Sequence, residues 1–174
     1  MKKIGLIASL AFMASGFGSA QTIDSGKSIV NFSIENMKVR TVTGTFTGMK
    51  GEIRFDETDL ANSSFNVSIE AASVNTENKE RNDHLRNEDF FHVEEYPVIS
   101  FESSSIQRTS SGFLTSGMLS MHGVSREVEI PFTYSNNQFV GILEVNRFDY
   151  KIGEGTNTTS VDETARLEII VVVN

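Results

Sequence analysis

From Ser28 onward the chain alternates apolar and polar residues in short runs, and that period of two constrains its fold more than any other feature. Val30, Phe32 and Ile34 fall on one side of such a run, with Ile29, Asn31, Ser33 and Glu35 on the other. Phe65, Val67, Ile69 and Ala71 oppose Asn66, Ser68 and Glu70 in the same way. Val128, Ile130, Phe132 and Tyr134 oppose Glu127, Glu129 and Thr133. Successive side chains of a strand point to opposite faces, so each run reads as a half-buried strand. Further strands are expected at 41–47, 51–55, 98–103, 113–121, 139–145 and 165–173. Asn136-Asn137 is a hairpin turn signal, and Met121-His122-Gly123-Val124 reads as a tight connection. Gly44 and Gly48 suggest a bend or bulge where a sheet must curl. The result is an all-β chain of eight to ten strands joined mostly by short turns, which means an antiparallel barrel or sandwich.

The first twenty residues stand apart. Lys2 and Lys3 precede a short apolar run at 4–13, and Gly18-Ser19-Ala20 forms a small-residue cleavage site before Gln21. This is the pattern of a secretory signal peptide, leaving 21–174 as one domain. The apolar run is too short to span a bilayer comfortably, and no later segment is long and apolar enough to do so. The full chain has 15 basic and 23 acidic residues. Without Lys2 and Lys3 the balance is 13 to 23, a net charge of about −10, which argues against DNA or RNA as a partner because phosphate attraction needs a basic face. The chain has no cysteine. An exported domain of this size must therefore be held by its apolar core alone, without disulfides or thiol chemistry.

One polar segment, 75–101, interrupts the strands. Its first half is charged and compatible with one or two helical turns within 77–90. Leu85, Phe90 and Phe91 give it an apolar handle, and Tyr96-Pro97 stops any helix. It reads either as a surface loop pinned by its aromatics or as the rim of a cavity. A second long loop is expected at 146–162. The three histidines, His84, His92 and His122, have no metal-ligand spacing, although Asp83, Asp89 or Glu94 could complete a set in space. His122 is expected to be a hydrogen-bonded turn histidine. Ser125 lacks the second glycine of a nucleophile elbow and sits in a strand–turn–strand context. No catalytic, metal or cofactor site is assigned. Thirteen phenylalanines, two of them (Phe12 and Phe17) within 1–20, lie mostly on inward faces. They would fill a sandwich or line a greasy cavity equally well. The chain therefore reads as a binding module for an apolar ligand.

Three blocks of residues resemble the YceI-like family of periplasmic, lipocalin-like, polyisoprenoid-binding proteins. The first is MKVRTVTGTFTG at 37–48. The second is the central segment, where Asn75-Thr76, Arg81, His84-Leu85, Asp89-Phe90-Phe91, Tyr96-Pro97 and Phe101 stand at family positions. The third holds Gly117-Met118-Leu119, His122-Gly123-Val124 and Val128. Arg147-Phe148-Asp149-Tyr150 is a looser fourth block. The sequence departs from the family pattern at Asn36, where a histidine is common, and at Asn82, where an aspartate commonly follows the arginine.

The resemblance implies a lipocalin-like antiparallel β-barrel of about eight strands, with a short helical piece near its mouth and an elongated apolar tunnel. It implies a periplasmic protein that binds an isoprenoid, a quinone-like lipid or another long-chain amphiphile without catalysis; the acidic charge favours a monomer, and an edge strand that could pair between chains leaves a homodimer open. Phe32, Phe46, Phe65, Phe101 and Phe132 are the expected wall. Arg81, His84 and Arg86 are the expected rim for a polar head, with Asn75 and Asn82 as weaker contributors, and each arginine could instead form a surface ion pair. Two other functions stay open: an enzyme acting on such a lipid through His84 or His92, and a stress-related structural or interaction protein with an incidental cavity.

Overall fold

The computed structural model of the protein describes residues 20–36, 40–156 and 160–174. The expected signal peptide lies outside this range except for Ala20, and so do positions 37–39 of the first family block and 157–159 of the second long loop.

Among the described residues, ten strands form one sheet. In chain order they are β1 (Gln21–Thr22), β2 (Ile29–Asn36), β3 (Arg40–Phe46), β4 (Lys50–Arg54), β5 (Ser64–Glu70), β6 (Val98–Thr109), β7 (Gly112–Met121), β8 (Val124–Ser135), β9 (Gln138–Asn146) and β10 (Val161–Val172). A short α-helix, α1 (Lys79–Arg86), lies between β5 and β6. The spatial order is β1-β4-β5-β6-β7-β8-β9-β10-β2-β3, and every ladder is antiparallel. Thus β4 to β10 form an up-and-down meander, and the β2–β3 hairpin lies against the far side of β10.

The sheet curls until its two edges approach each other. At one end the chain of β1 joins both sides: Gln21 pairs with Ile53 of β4, and Ile23 bridges to Val173 just past β10. At the other end Thr45 of β3 exchanges main-chain hydrogen bonds of 2.9 and 3.0 Å with Asn75. The shell is therefore closed by short bridges, not by a continuous ladder, and both edges are partly covered, which suppresses edge-to-edge pairing.

Local sequence accounts for the turns. His122 (φ 50°) and Gly123 (φ 72°) take the two left-handed positions of a tight hairpin between β7 and β8, and Asn136 (φ 51°) and Asn137 (φ 59°) do the same between β8 and β9. His122 Nδ1 lies 3.0 Å from the Tyr150 carbonyl oxygen. In β3, Gly44 faces Phe32 across the ladder, and a Cβ at that position would run into the Phe32 ring. The glycine thus lets this aromatic lie flat against its neighbouring strand.

Strand β6 is longer than expected, reaching Thr109 instead of ending near Ser103. A register shift between Ser103 and Ser105 inserts one residue. It reverses the parity of the strand, so Ile106 points inward as Phe101 does (both 7% exposed).

One end of the shell is packed solid. Phe55 contacts the rings of Phe65, Phe113, Phe132, Tyr134 and Phe139 with centroids 5.1–6.0 Å apart, mostly edge-on. Phe113 stacks on Phe132 at 5.3 Å. Each buried ring contributes ~1.5–3 kcal/mol, so this plug of aromatic rings supplies cohesion that many small domains take from disulfides.

Candidate functional site: an apolar cavity

The opposite half of the shell is hollow. A cavity of ≈ 190 Å³ lies between the sheet and the segment that carries α1. All but Ser100 and Arg147 of its lining residues are hydrocarbon, aromatic or thioether side chains. The sheet contributes inward positions such as Val30, Ile69, Leu119 and Leu143, which the strand alternation delivers to one face. A smaller chamber of ≈ 80 Å³ lies deeper, towards the aromatic plug. Val67, Phe101, Ile130 and Ile169 line both chambers and form the neck between them.

The mouth is built by the two long loops. Asn78 caps α1 by accepting a 2.9 Å hydrogen bond from the Arg81 N–H, which satisfies an otherwise unpaired donor of the first turn. The helix ends at Arg86, and the chain folds back so that the Phe91 N–H donates to the Leu85 carbonyl at 3.0 Å. This turn brings Leu85, Phe90 and Phe91 together on the cavity. Phe91 meets Phe46 edge-on at 5.3 Å. The second loop is stitched to the first by the Gly153 N–H, which donates to the Asp89 carbonyl at 2.9 Å.

Arg147 is the one charged residue on the cavity wall among the described residues, and it is only 5% exposed. Its Nε donates to the Asp162 carbonyl at 2.8 Å, and Nη1 donates to Ile152 and Gly153 at 2.9 and 2.7 Å. Nη2 donates to Thr156 and Val161 at 3.4 and 3.2 Å. The guanidinium also lies over the Phe148 ring at 4.0 Å. All five N–H groups are thus engaged by main-chain carbonyls of the 146–162 loop, and none is left for a ligand. Burial lowers its pKa from the ordinary value, while Asp162 and Glu163 oppose the shift. Sequence reasoning noted Arg147 only as part of the RFDY block. Nothing local to that block signals that the guanidinium is buried.

The five expected wall phenylalanines divide by depth. Phe32 and Phe46 line the outer cavity, Phe101 lines both chambers, and Phe65 and Phe132 line the inner one while belonging to the plug. The three expected rim residues lie on α1 and are not among the cavity-lining residues. Arg81 donates from Nε to Thr76 Oγ1 at 2.8 Å and from Nη2 to the Thr76 carbonyl at 2.9 Å. Arg86 donates to the carbonyls of Ala72 and Val74, both at 2.9 Å, and lies 3.4 Å from Asp83. Both arginines thereby pin the helix to the chain leaving β5. His84 is exposed, 3.9 Å from Asp89 and edge-on to Phe90. Asn82 Oδ1 accepts from the Thr76 N–H and hydroxyl at 2.8 and 2.7 Å. Asn75 Oδ1 accepts from the Glu77 N–H and the Asn82 amide. His92 and His122 are likewise absent from the cavity lining. Among the described residues no group of three or more His, Cys, Asp or Glu is placed to hold a metal, and no helix is long and apolar enough to cross a membrane.

An antiparallel barrel-like shell, plugged at one end and enclosing an apolar chamber behind a short helix, is a lipocalin-like fold. Comparison with known sequences specifies it further: residues 21–173 match the YceI-like domain, and the chain belongs to that family. It is 35% identical over 139 residues to the YceI protein of Escherichia coli O17:K52:H18, covering 75% of this chain and 71% of that one. It is 33% identical over 99 residues to the UPF0312 protein plu2095 of Photorhabdus laumondii, a match spanning 57% of this chain and about half, 52%, of the relative. Among solved structures, BcnA of Burkholderia cenocepacia superposes with a TM-score of 0.80 at 25% identity, covering 86% of this chain and 98% of its own. A polyisoprenoid-binding domain from Saccharophagus degradans, implicated in plant cell wall breakdown, shares the fold with a TM-score of 0.66. That domain is 18% identical, over 87% of this chain and 95% of its own.

Proposed function

We propose that the protein binds a long apolar amphiphile, an isoprenoid or quinone-like lipid, non-covalently in the cavity, and that it carries this ligand without turnover. The observation that carries this reading is the ≈ 190 Å³ chamber whose lining is hydrocarbon apart from Ser100 and the fully engaged Arg147. Such a surface recognises an apolar chain by removing it from water, at ~0.8 kcal/mol per methylene-sized unit. The polyisoprenoid-binding domain that shares the fold supports the choice of ligand class. The 1–20 segment supports export, with the periplasm as the working compartment. None of the three histidines is itself a lining residue, and His84 meets the cavity only through the Phe90 ring, which favours binding over chemistry on the bound lipid.

The test is mass spectrometry of organic extracts from the protein purified natively from its own cell envelope, followed by titration of the delipidated protein with prenols. A stoichiometric prenyl or quinone-like species is expected. Protein that is empty as isolated and takes up no added prenol would overturn the reading and move weight to a structural role. Conversion of a bound lipid to a product would overturn the non-enzymatic part.

A further inference from the structure

The outer face of the sheet carries a groove separate from the cavity. It measures ≈ 550 Å³ and crosses β9, β10, β2, β3 and the segment 75–77. Strand register builds its banks. Ile142, Glu168, Asn31, Thr45 and Asn75 stand side by side, because each is the direct cross-strand partner of the next. Two residues along, Arg166, Ser33 and Thr43 form a second row, which Glu77 closes. The banks are about 7 Å apart, and four strand spacings give the groove a length of about 19 Å. Between them Phe32 turns its ring towards the cavity and Gly44 has no side chain, which leaves the floor low. The volume lies within the range of small-molecule sites, ~300–1,000 Å³.

The banks mix hydrogen-bond donors with acceptors. Hydroxyls come from Ser33, Thr43 and Thr45, amides from Asn31 and Asn75, carboxylates from Glu77 and Glu168, and a guanidinium from Arg166. Asn31 Nδ2 donates to Glu168 at 2.8 Å, which holds an amide beside a carboxylate. Arg166 lies 3.7 Å from Glu144, so its charge is already balanced. Among the described residues, the Ser33, Thr43 and Thr45 hydroxyls make no hydrogen bond within the chain and face the groove. A phosphate or sulfate needs donors alone and would meet two carboxylates. An ammonium needs acceptors alone and would meet the guanidinium. An apolar ligand would strip water from these groups and give them no partner. A sugar hydroxyl donates and accepts at one atom, and neighbouring hydroxyls of a ring match pairs such as Asn31 and Glu168. We infer that the groove is a second binding site, for a linear oligosaccharide lying across the strands. Its banks stand on paired strands, so the polar groups are in position before the ligand arrives. Among the described residues Phe32 alone lines both groove and cavity, so sugar and lipid would occupy opposite faces of one wall.

The experiment follows amide resonances of the isotope-labelled protein by NMR while maltotetraose, cellotetraose and chitotetraose are added in turn. At least one is expected to shift the Phe32, Gly44 and Thr76 amides saturably, with a Kd of about 1 mM or tighter. The double variant Ser33→Ala, Thr43→Val removes two hydroxyls and keeps the strands, and is expected to weaken binding about tenfold. Asn31→Ala reaches the same bank by a separate change and is expected to weaken binding about three- to tenfold. Thr41→Val, on the same face of β3 but outside the groove, is expected to leave binding unchanged. No saturable shift at these amides with any of the three sugars up to about 10 mM would overturn the site. Equal affinity of the parent and both groove variants would overturn it as well. So would an equal response to inorganic phosphate or spermidine, which would mark an unselective polar surface.

Discussion

Arg147→Met isolates what a buried guanidinium does on a hydrocarbon wall. Methionine keeps much of the length and removes all five donors. Of the five carbonyls released, those of Ile152 and Gly153 are buried, and the other three are partly accessible and can turn to water. A buried acceptor left unpaired costs ~1–3 kcal/mol, so the two together cost ~2–6 kcal/mol. Removing a cation whose burial already disfavours its charged form offsets part of this. The net expectation is a loss of ~2–4 kcal/mol, a fall in Tm of about 4–16 °C for a domain of this size. Urea unfolding followed by circular dichroism gives the free energy, and amide exchange at Ile152 and Gly153 locates it. Arg147→Lys is expected to recover little, because one ammonium with three donors cannot span five carbonyls fanned around a planar group. A loss below about 0.5 kcal/mol for the methionine variant would refute a structural role for the guanidinium in holding the 146–162 loop, since that is the effect of an ordinary surface change. Full recovery by lysine would show that charge matters and geometry does not.

Three other outcomes follow from the same contacts. Phe55→Ala removes the ring at the centre of the plug and is expected to cost ~3–5 kcal/mol by urea unfolding, with a value near ~1 kcal/mol showing that the plug is not a stability centre. Arg86→Ala releases the Ala72 and Val74 carbonyls and is expected to cost ~1–2 kcal/mol, with faster amide exchange across Lys79–Arg86 than in the parent. An unchanged exchange pattern would show that other contacts hold the helix. Asp24, Asp56, Glu70 and Asp83 have carboxyl pKa values lowered chiefly by side-chain hydrogen bonds from Lys27, Thr58, Lys50 and Lys79 respectively, and Arg86 adds to the Asp83 shift. A carboxylate whose folded pKa is depressed lends stability above its ordinary pKa and loses it as pH falls through the folded value. Tm is therefore expected to be level above pH about 5 and to fall below about 4, by a small amount that added salt reduces because Asp56, Glu70 and Asp83 are exposed and Asp24 is partly so. A fall in Tm as pH drops from about 7 to about 5 instead would contradict this assignment.

Much of the fold is legible in the sequence because a strand's alternation is a local property. The runs through Phe32, Phe65 and Phe132 each show their buried face without help from a partner strand. The turns at His122-Gly123 and Asn136-Asn137 are legible for the same reason, since positive φ is set by the residues themselves. The helical turns expected within 77–90 belong to this class as well, although α1 already ends at Arg86, well before Tyr96-Pro97. Strand β1 is not legible: two residues carry no period, and they are held only by β4 and the end of β10. The second half of β6 is hidden because the bulge near Ser104 shifts the alternation, so Ile106 looks out of phase with Phe101. The cavity is illegible for a different reason. Periodicity places Phe32, Phe46 and Phe132 on the inward face but says nothing about the volume left between them, which depends on how tightly the sheet curls. Most partners of Arg81, Arg86 and Arg147 are main-chain carbonyls whose positions exist only once the loops have folded, and no residue pattern encodes them.

The placement of those three arginines bears on how a bound amphiphile would be chosen. A polar head at the mouth gains ~0.5–1.5 kcal/mol from an ordinary hydrogen bond. A tail gains ~0.8 kcal/mol per buried methylene-sized unit, so about ten buried carbons gain ~8 kcal/mol before the cost of ordering them is set against that figure. The tail therefore dominates affinity under the binding reading. The structure is consistent with that ratio: Arg81, Arg86 and Arg147 are occupied in holding the loops that shape the mouth, with their donors directed at Thr76, Ala72, Val74 and the 146–162 carbonyls. A protein that discriminated among head groups would need unpaired donors facing the cavity. This one has a cavity wall that is hydrocarbon apart from Ser100 and Arg147 among the described residues, and a wall of that kind discriminates among tails. Head-group variants of one tail are accordingly expected to bind within about tenfold of each other, a spread of ~1.4 kcal/mol, whereas loss of one buried isoprene unit costs more than that. Paired titrations of a prenol, its aldehyde and its acid at constant chain length measure the first quantity. A spread beyond about a hundredfold among them would show that a head-group site exists and that the loop arginines do more than hold the loops in place.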